Sequence, residues 1–344
     1  MIILLAIATT FFIVFFGVGF LLSGPRYQGP VSDHFDGRRF FTPQGRPAQG
    51  LINVFKWMIN NERKPWKRRM EIPFGPKPPE RVGRGARITF VNHSTFLIQV
   101  DGINILTDPV WSERVSPFQW AGPQRMRPPG IRFEDLPKID LILLTHNHYD
   151  HLDVTTLKRL HQSFHPRIIT TLGIKSLLDS VGITGAAELD WWQTSPFNES
   201  LSIEAVPAQH FSSRGAFDRD ATLWCGFVIR RAGGNIYFVG DTGYHESIFK
   251  EIGKRCAPID VAIIPIGAFK PEWFMSPIHV SPAEAVKIHQ ELNPRQSIAT
   301  HFGTFPLADD SLEEPLTGLQ EALKKNGVPA SEFIIPQEGA GIEF

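Results

Sequence analysis

The sequence predicts an α/β fold: two β-sheets packed face to face, helices on the outside, and one apolar helix in front. Three observations carry this. Strand-like runs crowd the early part and helical patterns interleave with the later ones, which fits layered sheets covered by helices. Several apolar runs close on a His or Asp, which is how a site on one rim of a sheet sandwich is built. An uncharged stretch opens the chain.

Residues 1–25 carry no charged side chain, and residues 2–22 read IILLAIATTFFIVFFGVGFLL. That run is long enough to cross a hydrocarbon core of about 30 Å as a helix. Nothing basic precedes it and LLSGP is a poor cleavage site, so residues 1–24 are expected to be a single-pass membrane anchor rather than a signal peptide. Arg26, Arg38 and Arg39 follow the span, and the positive-inside rule then places the rest of the chain on the cytoplasmic side.

Residues 25–85 read as a basic juxtamembrane extension rich in Pro, Gly and Arg. From residue 23 to 81 there are 12 Lys/Arg against 5 Asp/Glu. The densest piece is Arg63-Lys64-Pro65-Trp66-Lys67-Arg68-Arg69, and just before it Leu51, Val54, Phe55 and Met58 recur at helical spacing. Such a pair fits anionic headgroups, or equally a solvated charge run beside a helix packed on the domain.

The main domain is expected over 86–344. Strands are expected at 87–91, 96–100, 103–106, 139–145, 167–171, 202–207, 222–230, 235–240, 261–266, 297–300 and 332–335. Gly102, Gly233 and Gly234 mark turns. Helices are expected at 154–164, 174–181, 247–254, 282–292 and 316–325, with Ser281 and Pro282 forming a helix start.

Composition narrows the function classes. Hydrophobic residues at 42% and charged residues at 20% exclude a disordered chain. Lys+Arg and Asp+Glu are both 35, and a zero formal charge argues against nucleic acid held by bulk electrostatics. Only Cys225 and Cys256 are present, which excludes a disulfide framework and Cys-rich zinc modules.

The sharpest local signal is Thr145-His146-Asn147-His148-Tyr149-Asp150-His151, directly after an apolar run. Residues two apart on an extended chain point the same way, so His146 and His148 can hold one cation while Asp150 and His151 turn toward a second. Imidazoles with a carboxylate suit zinc, and iron or manganese are also compatible. His210, Asp241 and His301 each close another apolar run, and a carboxylate such as Asp241 can bridge two ions about 3.5–4 Å apart.

This pattern resembles the metallo-β-lactamase superfamily, and within it the N-acyl-phosphatidylethanolamine-hydrolysing phospholipase D family. The resemblance runs from about Arg87 to the C-terminus. The His motif specifies only the superfamily. The resemblance includes Leu106-Thr107-Asp108-Pro109 and Ser116-Pro117-Phe118-Gln119-Trp120-Ala121-Gly122-Pro123, and its more specific segments are Asp190-Trp191-Trp192, Gly240-Asp241-Thr242-Gly243-Tyr244 and Thr300-His301-Phe302-Gly303-Thr304-Phe305.

The resemblance implies an αββα sandwich and two zinc ions per chain. One would sit on His146, His148, His210 and Asp241, the other on Asp150, His151, Asp241 and His301. It implies a site role for His279, facing the phosphate, and for Asp108 and Arg214 beside the ligands, with Gln119, Trp120 and Tyr149 as substrate-side or supporting residues. Trp120 stands where relatives can have Tyr, and an anchor is no general family feature. Asp150 is expected to accept a proton from water, and His279 to hydrogen-bond the phosphate or protonate the leaving alkoxide.

The implied activity is hydrolysis of a membrane phospholipid, N-acyl-phosphatidylethanolamine, to N-acylethanolamine and phosphatidic acid. Phe118, Trp120, Phe211, Trp273 and Phe274 are candidates for an acyl groove. No nucleic-acid partner is expected, and a homo-oligomer is left open. Rival readings are a phosphodiesterase of another aminolipid, a lactone hydrolase, a di-iron redox enzyme and a metal-stabilised scaffold.

Overall fold

The computed structural model describes residues 16–60, 62, 64, 66 and 69–344. Residues 1–15, the larger part of the expected anchor, lie outside the described residues. So do residues 61, 63, 65, 67 and 68 in and beside the basic run. Residues 16–22 are helical, and among the described residues no helix is long and apolar enough to cross a membrane.

Two seven-stranded sheets face each other. The first contains β1 (Ala86–Asn92), β2 (Thr95–Val100), β3 (Ile103–Thr107), β4 (Leu141–Leu143), β5 (Arg167–Thr171), β6 (Ala187–Leu189) and β14 (Gly341–Glu343), in the order β14-β1-β2-β3-β4-β5-β6. The second contains β7 (Thr194–Pro196), β8 (Leu201–Val206), β9 (Gly226–Arg231), β10 (Asn235–Phe238), β11 (Ile259–Pro265), β12 (Gln296–Thr300) and β13 (Phe333–Ile334), in the order β13-β12-β11-β10-β9-β8-β7. Strand β14 returns from the C-terminus to pair antiparallel with β1, Ile342 opposite Ile88.

Alternation explains the layers. Phe96, Ile98 and Val100 of β2 and Leu141 and Leu143 of β4 point inward to meet Ile203, Phe227, Phe238 and Ile263 of the second sheet. Leu97, Ile142 and Leu144 point outward, onto Leu157 and Leu160 of α2 (Val154–Phe164) and Leu178 of α3 (Ile174–Ser180). Strands buried on both faces read as continuous apolar runs, which is why the sequence marks them so clearly. Over the second sheet, α6 (Pro282–Leu292) packs on β11 between α4 (Ile248–Arg255) and α7 (Glu314–Asn326). Its start is a capping box in which Ser281 and Glu284 satisfy each other's backbone N–H groups.

The differences from expectation have local causes. The run at 139–145 pairs only over Leu141–Leu143, because Thr145 N–H turns away to Asp108 Oδ1 at 2.8 Å. The run at 222–230 joins the ladder only from Gly226, since Leu223 N–H and Cys225 N–H bond to Leu172 O and Thr145 O instead. Strands β6, β7 and β14, at 3 residues each, are too short to leave a periodic signal.

Residues 25–85 pack on the domain along much of their length. Phe35 and Phe40 are buried with Ala208, Leu223 and Trp224. Helix α1 (Leu51–Ile59) lies against α5 (Glu272–Met275), with the Trp57 ring stacked on Phe274 at 5.0 Å. In the basic run, Lys64 pairs with Glu314 and Arg69 with Glu113.

Candidate metal centre

Strands β1, β3 and β4 share one direction, as do β8, β10 and β12, so their carboxyl ends open on one rim. The loops just past them carry His93, Asp108, the 146–151 motif, His210, Asp241 and His301. His93, Asp108 and His301 have positive φ (45°, 34° and 59°), a backbone that L-residues hold only where surrounding contacts enforce it. Gly240 (φ +68°) has no room for a side chain: a Cβ there would lie 2.9 Å from Thr145 Cγ2.

Among the described residues the side chains that could hold a metal fall into four overlapping groups, His93-Asp150-His151-His301, His146-His148-His210, Asp108-His146-His151 and Asp241-His279-His301, and the expected ligands divide between two neighbouring sites. In the first, His148 Nδ1 lies 2.9 Å from His146 Nε2 and 3.2 Å from His210 Nε2, and Asp241 Oδ2 is 3.8 Å from His210 Nε2. In the second, His151 Nε2 lies 3.3 Å from Asp150 Oδ2 and 3.2 Å from Asp241 Oδ2, and His301 Nε2 lies 3.5 Å and 3.1 Å from the same two oxygens. A tetrahedral cation with ligands at 2.0–2.1 Å separates neighbouring donors by about 3.3 Å, so both groups have the spacing of a metal cage. His151 Nε2, His301 Nε2 and Asp241 Oδ1 are buried and make no hydrogen bond, which is what a cation would resolve.

Supporting contacts aim the ligands. His151 Nδ1 donates to Asp108 Oδ2 at 2.7 Å, leaving Nε2 toward the cage. His146 Nδ1 is 2.9 Å from Thr145 Oγ1, whose hydroxyl donates to Asp108 Oδ2 at 2.6 Å. One carboxylate therefore sets two rings. His210 Nδ1 donates to Ile278 O at 2.8 Å.

Electrostatics favour cation binding. Burial holds His146 and His210 well below the ordinary imidazole value and His148 down to about 4, so these rings are neutral and able to ligate. Burial alone would raise Asp150 and Asp241, but His151 beside both, with His301, brings them well below the usual carboxylate range. In return, against the effect of burial, the carboxylates lift His151 well above its ordinary value and His301 to about 9. A bound cation would take the place of those protons.

His93 is the member that sequence reasoning missed. Its Nε2 lies 2.9 Å from Asp150 Oδ2, its ring is 4.0 Å from that of His301, and burial drives it down to about 3. The signal was the one used for the other ligands, a histidine just past an apolar strand, but Asn92-His93-Ser94 also reads as a hairpin turn.

The remaining candidates are spread around the cluster. His279 Nδ1 faces Asp241 Oδ2 at 3.8 Å, and the partly exposed ring stands 5.2 Å from those of His210 and His301. Arg214 stacks 3.8 Å over the Tyr149 ring and donates to Asn147 O and Leu152 O, bracing the loop that carries Asp150 and His151. Gln119, Tyr149 and Arg214 share a cleft of about 330 Å³ with Leu22. Trp120 is 80% exposed, rests on Phe118 and lies outside the ligand groups.

A family model for the beta-lactamase superfamily domain matches residues 103–302. The chain belongs to the metallo-β-lactamase superfamily, and it is a hydrolase of that fold with several His/Asp groups able to bind metal. It is 36% identical over 309 residues to N-acyl-phosphatidylethanolamine-hydrolyzing phospholipase D 1 of Caenorhabditis elegans, covering 84% of this chain and 86% of that one. Within the superfamily it belongs to the N-acyl-phosphatidylethanolamine-hydrolysing phospholipase D family. The mitochondrial enzyme of that name from Saccharomyces cerevisiae is 36% identical over 67% of this chain and 50% of its own. Among solved structures, an isothiocyanate hydrolase from Delia radicum gut bacteria superposes with a TM-score of 0.61 at 22% identity, over 75% of this chain and 99% of that one, a likeness of fold.

Proposed function

We propose that this chain is a two-zinc phosphodiesterase that hydrolyses N-acyl-phosphatidylethanolamine to N-acylethanolamine and phosphatidic acid, at a membrane reached through its N-terminal apolar segment. The observation that carries the reading is the place of Asp241 Oδ2, 3.8 Å from His210 Nε2 on one side and 3.2 Å and 3.1 Å from His151 Nε2 and His301 Nε2 on the other. The named activity of the C. elegans relative supplies the substrate class.

His146, His148, His210 and Asp241 would hold one zinc, and Asp150, His151, Asp241 and His301 the other. Zinc bound there would supply hydroxide at neutral pH and offset charge on phosphoryl oxygens. Asp150, partly exposed at the rim, is the carboxylate placed to accept the proton as water attacks phosphorus. His93 Nε2 holds that carboxylate in place at 2.9 Å. Burial keeps His279 at about 4, so its neutral ring hydrogen-bonds the phosphate or the departing oxygen. Asp108 keeps His151 in the tautomer that faces the cage.

Mass spectrometry of products tests the reading. Zinc-loaded full-length protein in detergent is given a mixture of N-acylated and ordinary phospholipids. Matching N-acylethanolamine and phosphatidic acid, lost on chelation and in Asp150→Asn, are expected. Intact N-acylated lipid with metal bound would overturn the substrate and turn the search to other aminolipids and lactones.

A further inference from the structure

We infer that Gln209 is a positioning residue for His279, holding the segment that carries it, with Arg46 of the N-terminal extension as its partner. The catalytic half of the inference rests on the phosphodiesterase reading; the placement of His279 stands without it.

Residues 276–281 join α5 to α6 and present His279 to the cluster. Three successive carbonyls along this segment each accept a side-chain donor from elsewhere in the chain. Arg46 Nη2 donates to Ser276 O at 2.9 Å, Gln209 Nε2 to Pro277 O at 3.0 Å, and His210 Nδ1 to Ile278 O at 2.8 Å. The next residue is His279, whose Nδ1 faces Asp241 Oδ2 at 3.8 Å. The third donor is an expected metal ligand, so one strand end delivers that ligand and holds the segment bearing His279.

Gln209 is the middle rung, and its amide is fully engaged. Its Oε1 accepts Arg46 N–H at 3.1 Å, and its Nε2 also donates to Tyr244 O at 3.3 Å. Only one orientation of the amide serves two carbonyls and one N–H. Its backbone N–H donates to Thr242 Oγ1 at 3.0 Å, and its carbonyl accepts Gly243 N–H at 2.7 Å. A residue 2% exposed thus joins the loops of His210, Asp241 and His279 to the extension. Gly243 leaves room for this: a Cβ there would lie 2.5 Å from Pro277 O and 2.8 Å from Gln209 Nε2.

A glutamine that only filled the interior would be replaceable by an apolar side chain of similar volume. Met at 209 instead leaves Pro277 O and Tyr244 O facing an apolar chain, and the segment moves to relieve them. A displacement of about 1 Å at a group that meets substrate is enough to cost up to about 100-fold in rate.

The test uses full-length, zinc-loaded protein and two variants, Gln209→Met and, at the exposed end of the ladder, Arg46→Met. The Ile278 and His279 amides both bond to Met275 O at 2.8 Å and report on the segment. Hydrogen exchange read by mass spectrometry should be faster over 275–280 in both variants, more so in Gln209→Met, with β11 and the metal content unchanged. Turnover of N-acyl-phosphatidylethanolamine in detergent should fall about tenfold in Gln209→Met. In a His279→Ala background the same change should cost less than about twofold, because residues acting through one group are not additive.

Native exchange over 275–280 in Gln209→Met overturns the placement. If that variant does not fold, native exchange in Arg46→Met does the same. A full further loss of rate in the His279→Ala background, or loss of metal, overturns action through His279. A native protein that cleaves no phospholipid removes the activity reading, and the exchange comparison still decides the placement.

Discussion

Asp108 and His151 form a fully buried pair in which the carboxylate Oδ2 accepts the imidazole Nδ1–H at 2.7 Å. The same oxygen takes the hydroxyl of Thr145, so a side chain outside both donor groups orients ligands in each. Asp108→Asn keeps the shape but offers an amide in place of an acceptor oxygen. Zinc affinity should fall by about 10–100-fold, as outer partners of metal-binding histidines typically show. Competition with a chelator of known affinity measures it, and an unchanged constant would deny Asp108 its orienting role.

His93 and Asp150 give a second, separable outcome. His93→Ala removes the 2.9 Å contact to Asp150 while leaving the first donor group intact. If the proposed two-zinc site is right, metal content after dialysis should drop from two ions per chain toward one, with a matching loss of rate. Two tightly held ions in the variant would show that Asp150 needs no such brace.

Asp241 stands between the groups, so its loss should differ from that of a ligand belonging to one group. His148→Ala should weaken the first ion alone. Asp241→Ala, which removes the oxygen within 3.8 Å of His210, His151 and His301, should empty both positions. Metal analysis of the two variants side by side decides it, and equal losses would contradict a bridging carboxylate.

Glu314 ties the basic run to the domain. It accepts from Lys64 and, at 2.8 Å, from Lys270. Burial works against its charge, but the two lysines bring its carboxyl down to about 2. A folded value below the unfolded one, about 4.3, means the stabilisation is complete above that pH and lost as pH falls toward 2. Glu314→Gln should therefore cost up to about 1 kcal/mol at neutral pH. The gap to the native protein should close as pH falls below about 4. Denaturant midpoints at neutral and acid pH, compared between the two proteins, check the sign.

The convergence of the seven expected ligands was legible because the 146–151 motif, His210, Asp241 and His301 follow four apolar runs whose ends lie on the rim. The adjacency of His210, Asp241 and His301 needed only the strand direction that alternating connections impose. His93 stayed hidden because it stands alone between two strands, with no second metal-type side chain beside it in the sequence. Asp and His are among the few non-glycine types that tolerate positive φ, so the backbone of Asp108 and His301 is compatible with their residue type but not dictated by it. The extension looked separate because its Arg and Pro content hides Phe35, Phe40 and Trp57, which fasten it to the domain through single aromatic contacts rather than a periodic face.

The pairing of β14 with β1 has a consequence for synthesis. During translation the first strand of the domain emerges early, yet the partner for its outer edge follows every other strand of both sheets. Until β14 emerges, the Ala86–Asn92 edge presents unpaired backbone groups beside an apolar ladder, the condition under which nascent chains recruit one another. Truncations that remove only the final residues should yield protein that aggregates as it is made, although every metal-binding side chain is present.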